Sequence, residues 1–268
     1  MLLREVGYAR PGSLGEAIQL LRSDDGARAL AGGQTLINVM KARAGSPDGL
    51  VDLSRIEELK GIELGADGTL EIGAMATYTE IAESGDARAR PILGIVCAQI
   101  ADVQVRNRGT IGGNVCTNDP TNHLPPLLAA LGAEFVIAGE GGSRTVSSEE
   151  FFLGVYMTAV GPGEVLTTVR VPAGRADGFS AVTLGADGTC LVSAAASLNG
   201  GLRLALGCVD AVPVVLHPAS ADPDAVRAAV QGANLDPPSD VHASSEYRAH
   251  LAQVVAVRAV SQASDNRS

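Results

Sequence analysis

Tryptophan is absent from the 268-residue chain, and aromatic side chains of all kinds make up only 3% of it. The cores therefore have to rest on Ala, Val, Leu and Ile. Cysteine is sparse and dispersed: Cys97, Cys116, Cys190 and Cys208 form no C-x-x-C pair, which excludes a zinc knuckle or an iron–sulfur cluster and leaves free thiols of a reducing compartment. No apolar run reaches the ~18 residues of a membrane span. The start, Met1-Leu2-Leu3-Arg4-Glu5, lacks the apolar segment of a secretory leader. A soluble, cytoplasmic protein is the expectation. Positive charge is also short, with 20 Lys and Arg against 30 Asp and Glu and a net charge of −10. That balance speaks against a nucleic-acid backbone as partner. Absent too are a G-x-S-x-G elbow, a G-x-G-x-x-G turn and a P-loop, so neither nucleophilic hydrolysis, nicotinamide binding of the Rossmann type nor nucleotide hydrolysis is indicated.

What is present is a chain of 46% hydrophobic and 19% charged residues, too apolar for disorder and long enough for roughly two domains at ~100–200 residues each. Ser13 caps a helix whose Leu14, Ala17, Ile18 and Leu21 share one face. A short strand over 27–30 leads to a helix over 36–44, followed by a strand over 50–53. A hairpin joins 62–64 to 70–72 around Ala66-Asp67-Gly68. Helical patterns cover 78–83 and 92–102, with the helix ending near Val105, and then 125–132 before a strand over 134–138. Residues 164–172 alternate as a strand. Residues 172–178 read as a linker, after which strands over 191–198 and 202–209 meet at Asn199-Gly200-Gly201. Helices over 221–231 and 245–263 close the chain, and Asp265-Asn266-Arg267-Ser268 is expected to fray.

Two glycine-rich stretches carry the functional signal. The first is Ala31-Gly32-Gly33-Gln34-Thr35-Leu36-Ile37, between a strand and a helix. The second is Arg106-Asn107-Arg108-Gly109-Thr110-Ile111-Gly112-Gly113-Asn114-Val115-Cys116-Thr117-Asn118-Asp119-Pro120. Glycine removes the Cβ that holds a ligand away from the backbone, and amides beside a helix N-terminus suit an anion such as a diphosphate. Each pair alone also reads as an ordinary tight turn. Arg4, Arg10, Lys41, Arg43, Arg106 and Arg108 lie near the two stretches in sequence. Asp119 can accept from a ribose or ribityl hydroxyl, or close an Asx turn ahead of Pro120. His123 is either a ligand contact or a satisfied loop histidine. His217, His242 and His250 read as surface or packing residues.

The two stretches, in this order and spacing, resemble those of the FAD-binding medium subunit of the molybdenum hydroxylases, the xanthine and carbon monoxide dehydrogenase family. The similarity extends to Gly163-Glu164-Val165-Leu166 and to Ser244-Ser245-Glu246-Tyr247-Arg248. It implies an α+β fold of the vanillyl-alcohol-oxidase (PCMH) type. A FAD-binding domain over 1–173, with subdomains of about 1–55 and 56–173, would precede a C-terminal α+β domain of the CO dehydrogenase flavoprotein type over 178–268. By resemblance, Ala31 to Ile37 and Thr110, Ile111, Gly112, Gly113 and Asn114 bind the diphosphate and ribityl chain through backbone amides, with Thr117 near the flavin. Ile100 and Cys116 flank the isoalloxazine, and Leu166 makes an adenine-side or ring contact. His123 stands where the family often has an acidic residue. Thr183 stands where a Lys or Arg often holds the flavin, and losing that cation bears on the redox potential.

The resemblance further implies an electron-transfer subunit without catalytic side chains or a metal of its own. Its partners would be a molybdenum-cofactor large subunit and an iron–sulfur small subunit, and it would pass electrons through FAD to NAD or another acceptor. A free-standing FAD-dependent oxidoreductase and a flavin-less scaffold are the alternatives.

Overall fold

A computed structural model describes residues 3–185 and 188–267. Met1 and Leu2 of the leader reading, and Ser268 of the expected frayed end, lie outside the described residues. The first layer is a three-stranded parallel sheet of β1 (Gly7–Ala9), β2 (Ala27–Leu30) and β3 (Gly49–Asp52), in the order β1-β3-β2. Helix α1 (Leu14–Ser23) starts where the Ser13 hydroxyl accepts from the Glu16 amide, and it buries Ala17, Ile18 and Leu21. Helix α2 (Leu36–Lys41) follows β2 and is shorter than the apolar pattern of 36–44 suggests. This layer shares a core with Ala138 and Val165 of the next sheet.

That second sheet is antiparallel, ordered β4-β5-β10-β6-β7. It is made of β4 (Ile62–Leu64) and β5 (Leu70–Gly73), then β6 (Glu134–Gly139), β7 (Gly142–Ser147) and β10 (Val165–Val171). Between β5 and β6 the chain forms α3 (Tyr78–Glu83), α4 (Pro91–Cys97), α5 (Val103–Arg106), α6 (Ile111–Thr117) and α7 (Leu124–Ala130). Helix α8 (Ser148–Phe151) and the small hairpin of β8 (Phe152–Gly154) with β9 (Met157–Thr158) precede β10. With so few aromatics available, three of the four phenylalanines cluster here: Phe135 stacks on Phe151 at 4.0 Å and Phe152 packs edge-on to both.

The helix expected over 92–102 stops at Cys97. Beyond it the backbone turns through Ala101 at φ 43°, a left-handed conformation that interrupts the helix before α5. The linker expected over 172–178 is shorter, because Asp177 and Gly178 already pair in a strand, β11 (Asp177–Leu184).

The third sheet runs β11-β12-β13-β14, with β12 (Thr189–Ser197), β13 (Arg203–Gly207) and β14 (Val214–Leu216), and is followed by α9 (Pro223–Gly232) and α10 (Ser245–Asp265). Strand β12 is apolar almost throughout because both of its faces are covered, one by α7 and one by α10. Phe179, Ala195 and Ala205 accordingly belong to the core of the middle layer. Of the segment expected to fray, Asp265 closes α10 and the Asn266 side-chain amide donates to Asp177 O at 2.8 Å. Among the described residues no helix is long and apolar enough to cross a membrane.

Candidate cofactor-binding site

Strand β2 delivers the chain into Ala31-Gly32-Gly33, and Gly33 turns it at φ +74° toward α2. The first bond of that turn runs from the Ile37 amide to Gly33 O at 3.2 Å, so the amides of Gly33, Gln34, Thr35 and Leu36 precede any helical acceptor. They stand at the positive end of the helix. Thr35 occupies the cap position with no side-chain cap bond. The Gln34 amide group donates to Gly32 O and Asn38 donates to Gln34 O, which fixes the loop from within.

The second motif is not the loop that its glycines suggest. Thr110 is the cap of α6, its hydroxyl accepting from Gly113 N at 3.0 Å, and Gly112 and Gly113 lie in the first helical turn. The amides of Ile111 and Gly112 donate to Ala76 O and Ala74 O, both at 2.9 Å, and Asn114 N donates to Thr110 O. In this structure the amides of Ile111, Gly112, Gly113 and Asn114 thus each have an acceptor within the protein. What this helix offers is close approach. A Cβ on Gly112 would stand 2.6 Å from Ala74 O.

The two motifs, remote in sequence, touch. A Cβ on Gly32 would lie 1.9 Å from Arg108 O and 3.0 Å from Gly109 Cα, and one on Gly113 would lie 3.5 Å from Ala31 Cβ. One continuous cradle results, with open amides on one wall and the face of α6 on the other. In that second wall the Asn114 side-chain amide donates to the Tyr78 hydroxyl at 2.9 Å, while Asn114 Oδ1 is buried without a partner. Burial pushes the Tyr78 hydroxyl up to about 12, so it stays neutral.

Residues 4–174 match the family model described as the FAD binding domain in molybdopterin dehydrogenase. The chain belongs to that family. It is 36% identical over 277 residues to the carbon monoxide dehydrogenase medium chain of Afipia carboxidovorans, with 96% of each chain covered. It is 33% identical over 275 residues to the glyceraldehyde dehydrogenase medium chain of Sulfolobus acidocaldarius, covering 95% of this chain and 97% of that one. Its structure superimposes on a carbon monoxide dehydrogenase from Hydrogenophaga pseudoflava with a TM-score of 0.92, 34% identity and 99% of both chains covered. As a member of the family the chain is an oxidoreductase subunit whose cofactor is FAD.

The cradle fits that cofactor. A diphosphate needs donors, and the amides of residues 33–36 are there; the glycine seam keeps side chains out of the way; and the orphan Asn114 Oδ1 awaits an N–H or O–H donor. Thr117 Oγ donates to Gly113 O at 2.7 Å, so its proton is engaged within α6. Ile100 and Cys116 are partly exposed and pack on the main core, and burial pushes the Cys116 thiol up to about 12. Leu166 lies inside that core on β10, paired with Ile137.

Asp119 closes the Asx turn, accepting from Thr121 N at 2.9 Å, and also receives the Tyr156 hydroxyl at 3.1 Å. His123 and Thr183 make their contacts in the C-terminal sheet. The His123 ring lies 5.3 Å from that of Phe179, and Thr183 sits exposed at a bulge of β11 opposite Cys190. Two of the six basic residues near the glycine stretches are engaged within the protein. Arg10 is held by Asp52 and Ser54, and Arg106 donates to Ile100 O and Ala101 O, clamping the left-handed turn. Sequence reasoning missed Ala74, Ala76 and Tyr78 as the support of α6. The available signal was Thr77-Tyr78-Thr79-Glu80, a capping box that the structure forms.

Proposed function

We propose that this chain is the electron-transferring medium subunit of a molybdenum hydroxylase complex, taking electrons from iron–sulfur centres of a small subunit and passing them to NAD or another acceptor. Substrate oxidation would lie on a molybdenum-cofactor large subunit. The observation that carries the reading is the contact of Gly32 with Arg108 and Gly109, which makes one cradle of two motifs. FAD, when bound, supplies the means to join one-electron carriers to a two-electron acceptor, so no side chain of this subunit need act as acid or base.

The residues each have a positioning task. Open amides of residues 33–36 offset the diphosphate charge, and Asn114, oriented by Tyr78, presents its free oxygen into the cradle wall. Arg106 fixes the turn that places Ile100, and Cys116 and Thr117 follow on the last turn of α6. Thr183 adds no positive charge, so the flavin would be reduced less readily than with a Lys at that position. The four free cysteines suit the cytoplasm.

The test is purification of the chain co-expressed with its genomic neighbours, followed by absorbance spectra. A yellow chain that copurifies with a large and a small subunit, and whose flavin is bleached on adding the complex's substrate, is expected. A colourless chain would indicate a scaffold, and substrate turnover by the isolated yellow chain a free-standing oxidoreductase.

A further inference from the structure

Where the end of α7, the turn after β10 and the β12–β13 hairpin meet, a cavity of about 330 Å³ opens. None of the residues of the FAD cradle lines it. Its apolar part is aliphatic, with Leu131 and Leu202 the largest side chains there, and its polar part is Arg90, Ser197, Asn199, Arg203 and His217. The chain has 30 Asp and Glu against 20 Lys and Arg, yet among the described residues no carboxylate lines this cavity.

Hydrogen bonding separates the base of the cavity from its donors. The Arg90 guanidinium is engaged by Asp177, Ser197 Oγ and Pro172 O, and the Asn199 amide group by Asp177, Ser197 and the amides of Arg175 and Ala176, so these two form a fixed base. The buried Ser197 oxygen receives Arg90 Nη2 at 3.2 Å, Asn199 N at 3.4 Å and Asn199 Nδ2 at 2.9 Å. Its own O–H donates to nothing among the described residues, and with its oxygen so surrounded it has the cavity to turn to. Arg203 donates through Nε to Ala129 O at 2.7 Å and through Nη2 to Ser148 and Glu149, which leaves Nη1 without an acceptor. The exposed His217, just past β14, makes no hydrogen bond to the described residues. Beside these donors lies the carbonyl end of α7. Gly132 N and Arg203 cover Ala129 O there, while Ala130 O and Leu131 O accept no bond among the described residues.

We propose that this cavity binds a small phosphate monoester with a hydroxylated body, of about the size of a hexose phosphate. Its volume is that of a small-molecule site. The free donors come from β12, β13 and the residue after β14, three directions that suit the tetrahedral oxygens of a phosphate better than the two coplanar oxygens of a carboxylate. The phosphate accepts from Ser197 Oγ, Arg203 Nη1 and the His217 ring. Hydroxyls on the body donate to the open carbonyls of Ala130 and Leu131, and its carbon skeleton covers Leu131 and Leu202. A lining with arginines and no carboxylate keeps the local field favourable to an anion in a protein of net charge −10. The inference does not depend on the flavin reading, because it uses no residue of the cradle.

The test titrates the full chain with glucose 6-phosphate, inorganic phosphate and glucose in a calorimeter, while absorbance follows any bound flavin. Saturable binding of glucose 6-phosphate is expected, with weaker binding of inorganic phosphate, no heat from glucose and no release of flavin. R203M should weaken glucose 6-phosphate binding about tenfold, as the loss of one hydrogen bond to a charged group does. Because Arg203 also holds α7, H217A serves as the second variant: its side chain is exposed, and it too should bind about tenfold more weakly. H242A, at an exposed histidine outside the cavity, should bind like wild type. Absence of saturable binding to the wild-type chain, or equal affinity in wild type, R203M and H217A, would overturn the proposal. So would release of flavin by glucose 6-phosphate, which would put the phosphate in the cradle. A colourless chain can be titrated in the same way, so this proposal and the flavin reading fail separately.

Discussion

One methyl group is enough to probe the cradle. At Gly32 a Cβ has Arg108 O 1.9 Å away, and backbone cannot step aside as a flexible side chain can. Gly32→Ala should destabilise the chain by about 1–3 kcal/mol, as overpacking does, and lower its FAD content. Gly15→Ala, where a Cβ meets nothing within 4 Å, is the control. Flavin absorbance after desalting reads both, and equal FAD content in the two variants would refute the seam. Tyr78 gives a second residue-scale expectation. Its folded pKa is raised from 10.0 to about 12 by burial, so its neutral form contributes stability that is complete below pH 10 and fades as pH rises toward 12. Tyr78→Phe should flatten that alkaline loss in melting curves, while costing about 1–3 kcal/mol at neutral pH because the Asn114 amide is left unpaired. The sequence showed the glycines but not Tyr78, which lies 36 residues from the Asn114 it orients.

Among the elements, α6 shows most clearly where sequence patterns mislead. Two glycines in one turn disfavour helix by about 1 kcal/mol each, which is why the stretch reads as a loop. Thr110 and the carbonyls of Ala74 and Ala76 outweigh that penalty by engaging the first amides. Thr110→Val should cost about 0.5–2 kcal/mol and raise hydrogen exchange at the Gly113 amide; unchanged exchange there would show that the cap is dispensable. Helix α10 has its own anchor. Arg248 donates to Asp240 Oδ2 at 2.7 Å, and the Asp240 carboxylate, held first by the His242 and Ala243 amides and then by this arginine, titrates down to about 2. A lowered carboxylate pKa contributes stability above pH 3.8 that is lost as pH falls toward 2. Melting of Asp240→Asn should therefore show a weaker dependence on pH over that window than wild type does. The strands β7, β8, β9, β11 and β14 escaped sequence reading because they are short, exposed or glycine-flanked. The long buried strand β12 was legible because both its faces are covered.

Across the whole molecule, one buried ion pair joins the C-terminal sheet to the cofactor layers. Arg90 donates to both Asp177 oxygens at 2.6 and 2.9 Å and to Ser197 Oγ, with both charged side chains no more than 2% exposed. Removing one partner leaves a buried charge unpaired, so Asp177→Ala should lose about 3–5 kcal/mol of unfolding free energy. Arg90→Met combined with Asp177→Leu should recover much of it. Urea unfolding decides the matter: a double variant as unstable as the single one would show that the pair does more than cancel its own desolvation. Neither residue stands out in the sequence, since 87 positions separate them.

The family resemblance carried by the order and spacing of the two glycine motifs was enough to point to the family and the cofactor, and the spacing of apolar residues to most of the helices. Those are local properties, fixed by residue type and short spacing. Tertiary structure alone decided that Gly32 abuts Arg108, that Ala76 O and Ala74 O accept from the first amides of α6, and that the His123 ring packs against Phe179. Each depends on contacts between distant segments, where the hydrogen-bonding needs of buried backbone and side chains outweigh local preference.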